Sequence, residues 1–175
     1  MHKFVRLLAS FALATFISSA VAAPRGAERT TVGELTFVVT EVGQYETVGD
    51  VVDVPQPNTA AGKMSEHEKI RLVRAGNQIP AKKGNAFGFR YRVEGKRDGP
   101  MTGAEMHVVH PPMQGVDGRI HTTTTASIDL YFESGVAEED IIYMLSEDFE
   151  VLPGTWILQI RFDGKVAASR TFELR

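Results

Sequence analysis

Three histidines and three methionines crowd one stretch of the chain: Met101, Met106, His107, His110 and Met113, with His121 shortly after. Imidazole and thioether ligands suit copper, and the soft thioether sulfur favours Cu(I). The candidate metal ligands are therefore His107, His110, His121, Met106 and Met113. Spacing argues against them as a set. In a strand, residues an odd number apart point to opposite faces, so His107 and His110 diverge. Met106 falls with His110, opposite His107. Only one of the two histidines can join His121 on a neighbouring strand, unless the chain bends at Pro111. The expectation is core methionines and surface histidines, with no metal and no cofactor.

Other chemistries find less support. The carboxylate groups Glu138-Glu139-Asp140 and Glu147-Asp148-Glu150 lack the spacing of a calcium loop and read as solvated turns. Glu150 differs, because its place just before a turn lets it bond turn amides. Ser134-Gly135 is not a nucleophile elbow, so a hydrolase is a distant alternative. No phosphate-binding glycine loop or dinucleotide fingerprint is present. Arg90, Arg92, Lys96 and Arg97 make a basic strand end, but the interleaved aromatics fall on the opposite face, unlike a nucleic-acid platform.

Composition sets the class. The chain has 175 residues, 19 basic and 22 acidic, and no cysteine. Thiol catalysis, cysteine-zinc sites and disulfides are excluded. Lys3 and Arg6 precede an apolar run over residues 7–21, and Ala20-Val21-Ala22 fits a small-x-small cleavage site. Residues 1–22 are read as a signal peptide cleaved after Ala22. The apolar run falls short of the roughly 20 residues that span a bilayer, so no transmembrane segment is expected after cleavage. Loss of Lys3 and Arg6 takes the net charge from −3 to −5. An acidic, exported protein is a poor electrostatic fit for nucleic acid or anionic membrane.

The elements that would position these residues are strands. Residues 23–31 are small, polar and charged and read as a mobile leader. A single domain then fills residues 32–175. Alternation marks strands over residues 32–42, 63–73, 87–94, 104–110, 119–133 and 141–145. Residues 43–62, rich in Gly and Pro without sustained periodicity, read as a long loop. At the C-terminus Pro153-Gly154 signals a turn. Trp156, Leu158, Ile160 and Phe162 then share one strand face. Asp163-Gly164 is a hairpin signal of the type that needs φ > 0 at both residues. On the return strand Val166, Ala168, Phe172 and Leu174 face the core, with Arg170 a mismatch among them. Seven or eight strands without a convincing helix indicate an all-β, immunoglobulin-like antiparallel β-sandwich.

The run Glu150-Val151-Leu152-Pro153-Gly154-Thr155-Trp156, with its following hairpin and terminal Phe172-x-Leu174, resembles the C-terminal signature of the bacterial domain of unknown function 3859. Ile79-Pro80-Ala81, Gly84 and Phe87-Gly88-Phe89-Arg90-Tyr91 are similar to its central portion. The signature positions are Glu150, Pro153, Gly154, Trp156, Asp163 and Gly164. The resemblance implies an exported or envelope-associated immunoglobulin-like sandwich, and it brings no catalytic residues.

The functional expectation is a non-enzymatic binding module in the periplasm or outside the cell. Its partner would be an envelope protein or a surface polymer, met through residues 43–62 or an open sheet edge. A periplasmic copper or metal carrier is the alternative.

Overall fold

The computed structural model describes residues 28–175; the expected signal peptide lies outside the described residues. Ten strands form two five-stranded sheets. The first sheet holds β1 (Arg29–Val32), β2 (Leu35–Pro55), β5 (Ala86–Glu94) and β8 (Val136–Met144) in that order, with β3 (Lys63–Ala75) paired to the far half of β2. The second runs β4 (Gln78–Ile79), β10 (Lys165–Leu174), β9 (Gly154–Phe162), β6 (Gly99–Gln114), β7 (Ile120–Phe132). All pairings are antiparallel except the short β4–β10 contact. No helix among the described residues is long and apolar enough to cross a membrane.

Alternation decides what fills the space between the sheets. From β5 the inward set is Phe87, Phe89, Tyr91 and Val93; from β9 it is Trp156, Leu158, Ile160 and Phe162, all buried. Burial of such side chains, at about 1.5–3 kcal/mol each, is the main stabilising term in a fold without disulfides. Trp156 is the centre. Its ring lies 4.9 Å from Tyr143, 5.6 Å edge-on to Phe87 and 5.3 Å from His110, and its Nε1–H donates to the Leu152 carbonyl at 3.2 Å.

The β9–β10 turn takes φ of 50° at Asp163 and 71° at Gly164. A bulge between Val166 and Ala168 then shifts the register. In consequence Val166, expected in the core, is exposed, while Ala167 and Ala168 are both buried. Arg170 does lie on the inner side. It is tolerated because Glu28 Oε2 accepts from its Nη1 at 2.8 Å at the edge of the sheet.

Two expectations are corrected. The leader expected over residues 23–31 ends in strand, since β1 begins at Arg29 and pairs with Leu35–Val38. The long loop expected over residues 43–62 is mostly strand: β2 continues to Pro55, and only residues 56–62 connect it to β3. The far half of β2 and most of β3 form a hairpin arm. Bulges at Gln44/Tyr45 and Val48/Val51 break the side-chain period, which is why no alternation shows in the sequence. At the base, Gly43 is required: a Cβ there would run into the Arg74 carbonyl oxygen.

The arm folds over the outer face of the first sheet. Ile70 and Leu72 pack there with Tyr45, Ala86, Ile142 and Met144, and Arg90 donates to the Ile70 carbonyl at 2.7 Å. His67 meets Asp140 at 3.3 Å. Beyond β8 the tip reaches the second sheet, where Ala60 is buried and its carbonyl accepts from Val116 N–H at 2.9 Å.

Candidate functional site

The structure separates the histidines and methionines singled out in the sequence. His110 and Met106 point inward and are buried, as is Met113. His107 lies on the outer face of the second sheet, across from Thr125 and Gln159. His121 pairs with Asp117 at 2.9 Å near the β6–β7 turn. Among the described residues no group of three or more His, Asp or Glu side chains is placed to hold a metal ion. His110 is held as a neutral ring. Its Nδ1 sits 2.9 Å from the Pro111 carbonyl, Trp156 covers it, and burial pushes its pKa below the ordinary value.

Glu150 is the buried carboxylate of the interior. It closes the short 3-10 turn Asp148–Glu150. Tyr143 hydroxyl donates to Oε1 at 2.8 Å; Ser146 N–H, Ser146 hydroxyl and Glu147 N–H donate to Oε2 at 2.8, 3.0 and 2.8 Å. Four donors engage the carboxylate, three at Oε2 and one at Oε1, so it organises the entry to Pro153-Gly154. Burial first, then the Glu150 charge, pushes the Tyr143 phenol up. These groups and Thr124 line a cavity of about 50 Å³ beneath the arm, roofed by Lys63, Met64 and Ser65. A ligand of ordinary size needs roughly 300–1,000 Å³, so this space admits solvent only.

The exposed feature that can act is the free edge of β7. Among the described residues β7 pairs with β6 alone. Tyr131 N–H turns away from β6, toward Glu139 Oε1 at 3.4 Å. Residues two apart on a strand turn their main-chain groups the same way. The N–H and C=O groups of Thr125, Ser127 and Asp129 therefore face the open edge. Residues 120–132 contain no Lys, Arg or Pro, the residues that usually blunt an edge. The sequence carried this signal in its Thr122-Thr125 run, but only the strand order shows that the run lies at an edge.

The two packed antiparallel sheets define an immunoglobulin-like β-sandwich. An immunoglobulin-like protein from Pseudomonas aeruginosa has the same fold: 22% identity, TM-score 0.55, covering 85% of this chain and 98% of that one. The chain belongs to the family described as domain of unknown function DUF3859, whose model matches residues 34–174. A Pseudomonas fluorescens alkylpurine DNA glycosylase bound to abasic-site DNA aligns at 12% identity and TM-score 0.38, over 57% of this chain and 27% of that one, too distant to bear on the argument. No curated protein matches.

Proposed function

We propose that this protein is a non-enzymatic, exported binding module of the bacterial envelope, which takes an extended segment of an envelope protein by strand addition at β7. The observation that carries the reading is the open β7 edge, with a row of main-chain donors and acceptors turned outward and no Lys, Arg or Pro within the strand. Main-chain bonds supply affinity in this mode, and alternate side chains supply selectivity. Asp129 on β7 and Glu105 across from Ser127 favour a segment with basic residues at alternate positions. Tyr131, 64% exposed, offers an aromatic contact at one end. Export rests on the features of residues 1–22.

The test is site-specific photocrosslinking from position 125 in envelope extracts, with Ser127→Pro as the control. Proline there removes an edge-facing N–H and no β6 bond. A basic peptide crosslinked to the native edge and lost in Ser127→Pro supports the reading. Crosslinks that survive the proline, or products that are polysaccharide rather than peptide, overturn it.

A further inference from the structure

One edge-facing donor of β7 is already engaged. The Tyr131 N–H is taken by Glu139, which reaches over from β8 in the other sheet. β7 and β8 each end the order of their sheet, and a tight turn joins them. Glu133 and Val136 exchange main-chain bonds of 2.8 and 3.1 Å around Ser134-Gly135, both residues at positive φ. The turn therefore holds the two edges side by side, and Glu139 spans the seam between them.

The position is unusual for a carboxylate. Alternation on β8 puts Glu139 on the side of Ala137, Ile141 and Tyr143, all buried. It stands in register with the buried Tyr91 of β5 and is itself partly buried. Burial raises its pKa above the ordinary value, the Tyr131 N–H opposes that shift, and Asp140 beside it adds to it. The other titratable groups around it are the neutral Tyr91 phenol and, against Asp140 at 3.3 Å, His67 of the arm. Glu139 accepts from Tyr131 at 3.4 Å, beyond the roughly 2.7–3.2 Å of a typical N–H···O bond. Glu150, by contrast, is fixed by four donors. An inward-pointing charge is one of the devices that keep a sheet edge from pairing indiscriminately. A single long bond makes that device one an incoming strand can displace.

We propose that Glu139 is a displaceable guard of the β7 edge: its ionised carboxylate occupies the Tyr131 N–H in the free protein, and neutralising or displacing it releases that donor to an added strand. The purpose of the guard rests on strand addition at β7; the cap on Tyr131 does not. Release extends the row of open main-chain groups from Thr125, Ser127 and Asp129 to Tyr131. The cap is in place above the folded-state pKa of Glu139 and is lost as pH falls through it. At pH 4.5, the ordinary glutamate value, a raised carboxyl is more than half protonated.

The experiment reads the Tyr131 amide by NMR in the native protein and in Glu139→Ala, with Ser127 as the open-edge reference and Leu158 as the core reference. In the native protein the Tyr131 amide proton moves upfield as pH falls from about 7 toward the carboxyl range, following the Glu139 carboxyl resonance. In Glu139→Ala its hydrogen exchange near neutrality rises by about tenfold, toward the Ser127 rate, while Leu158 is unmoved. Asp140→Asn keeps the response and moves its midpoint to lower pH. An amide shift that does not follow Glu139, or exchange unchanged in Glu139→Ala, overturns the proposal. So does an equal loss of protection at Leu158, which makes Glu139 a residue that merely stabilises the fold. Photocrosslinking from position 125 separates the guard from the partner reading. The adduct yield near neutrality rises several-fold in Glu139→Ala, and an unchanged or lower yield overturns control of the edge by Glu139. An absence of adduct from both proteins sinks strand addition to an envelope peptide, and the Tyr131 amide still decides whether Glu139 caps the edge.

Discussion

Glu150 and Glu41 are both carboxylates beside tyrosines, yet they sit in opposite situations. Glu150 lies in the interior, and four donors close around it, Tyr143 among them. Glu41 lies on the outer face of the first sheet, about one-third exposed, where Tyr45 and Arg90 are its neighbours. Both neighbouring phenols are pushed up, Tyr143 and Tyr45 alike, chiefly by burial and next by the carboxylate. The difference teaches where to look for function in a fold without a conspicuous active site. A buried carboxylate ringed by four donors specifies geometry, whereas a partly exposed one in a row of surface charges adds little to it. The prominent residues of the C-terminal signature belong to the first kind.

The comparison breaks if the interior proves dispensable. Trp156→Ala should cost about 3–5 kcal/mol in urea unfolding, the range for removing a large buried aromatic. An unchanged midpoint would mean that the core is not organised around this ring. Glu150→Ala should cost about 3 kcal/mol, because it strands Tyr143 hydroxyl and two turn N–H groups at once. Glu41→Gln should change stability by no more than about 0.5 kcal/mol. Equal losses at the two glutamates would erase the distinction between them.

The pH dependence sharpens it further. His110 has a folded-state pKa below its unfolded value of about 6.5, because burial disfavours the imidazolium. The unfolded chain therefore binds more protons in this window. The contribution is fully present above about 6.5 and is lost as pH falls from there through the lower folded-state value. The urea midpoint should decline on acidification from neutrality, and His110→Asn should flatten that decline. A decline of the same slope in the variant would assign the effect to other groups, of which His107, also lowered by burial, is the first. The smallest effect belongs to the edge. Ser127→Pro should shift stability by only about 0.5 kcal/mol while abolishing strand addition; a large loss would show that its N–H serves the β6 ladder.

Much of the sandwich was legible. Strict alternation at Phe87–Val93 and Trp156–Phe162 assigned the inner faces correctly, because a strand's period of two is a local property. Asp163-Gly164 marked its hairpin for the same reason. The arm was not legible. Two bulges break its period, and Val48, Val51 and Val52 are exposed on it, so it carries no single apolar face. The bulge at Val166 likewise reversed one side chain that simple alternation had placed inside.

The β7 edge and the charge rows on the outer face were legible only as ingredients. Arg90 and Arg92 read as a solvated basic run and Glu138–Asp140 as a solvated acidic turn, whereas Glu138–Asp140 lie within β8, in register with Arg90–Arg92. The amino-acid sequence by itself determined the all-β class, the faces of the central strands and the C-terminal turns, since these follow from side-chain period and backbone φ preferences. Tertiary structure alone decided that β7 lies at an edge, that residues 43–55 fold back as an arm, and that Glu41, Arg90 and Glu138 meet. Strand order and register are set by which distant segments bury one another's apolar faces, and no local pattern of residues encodes that choice.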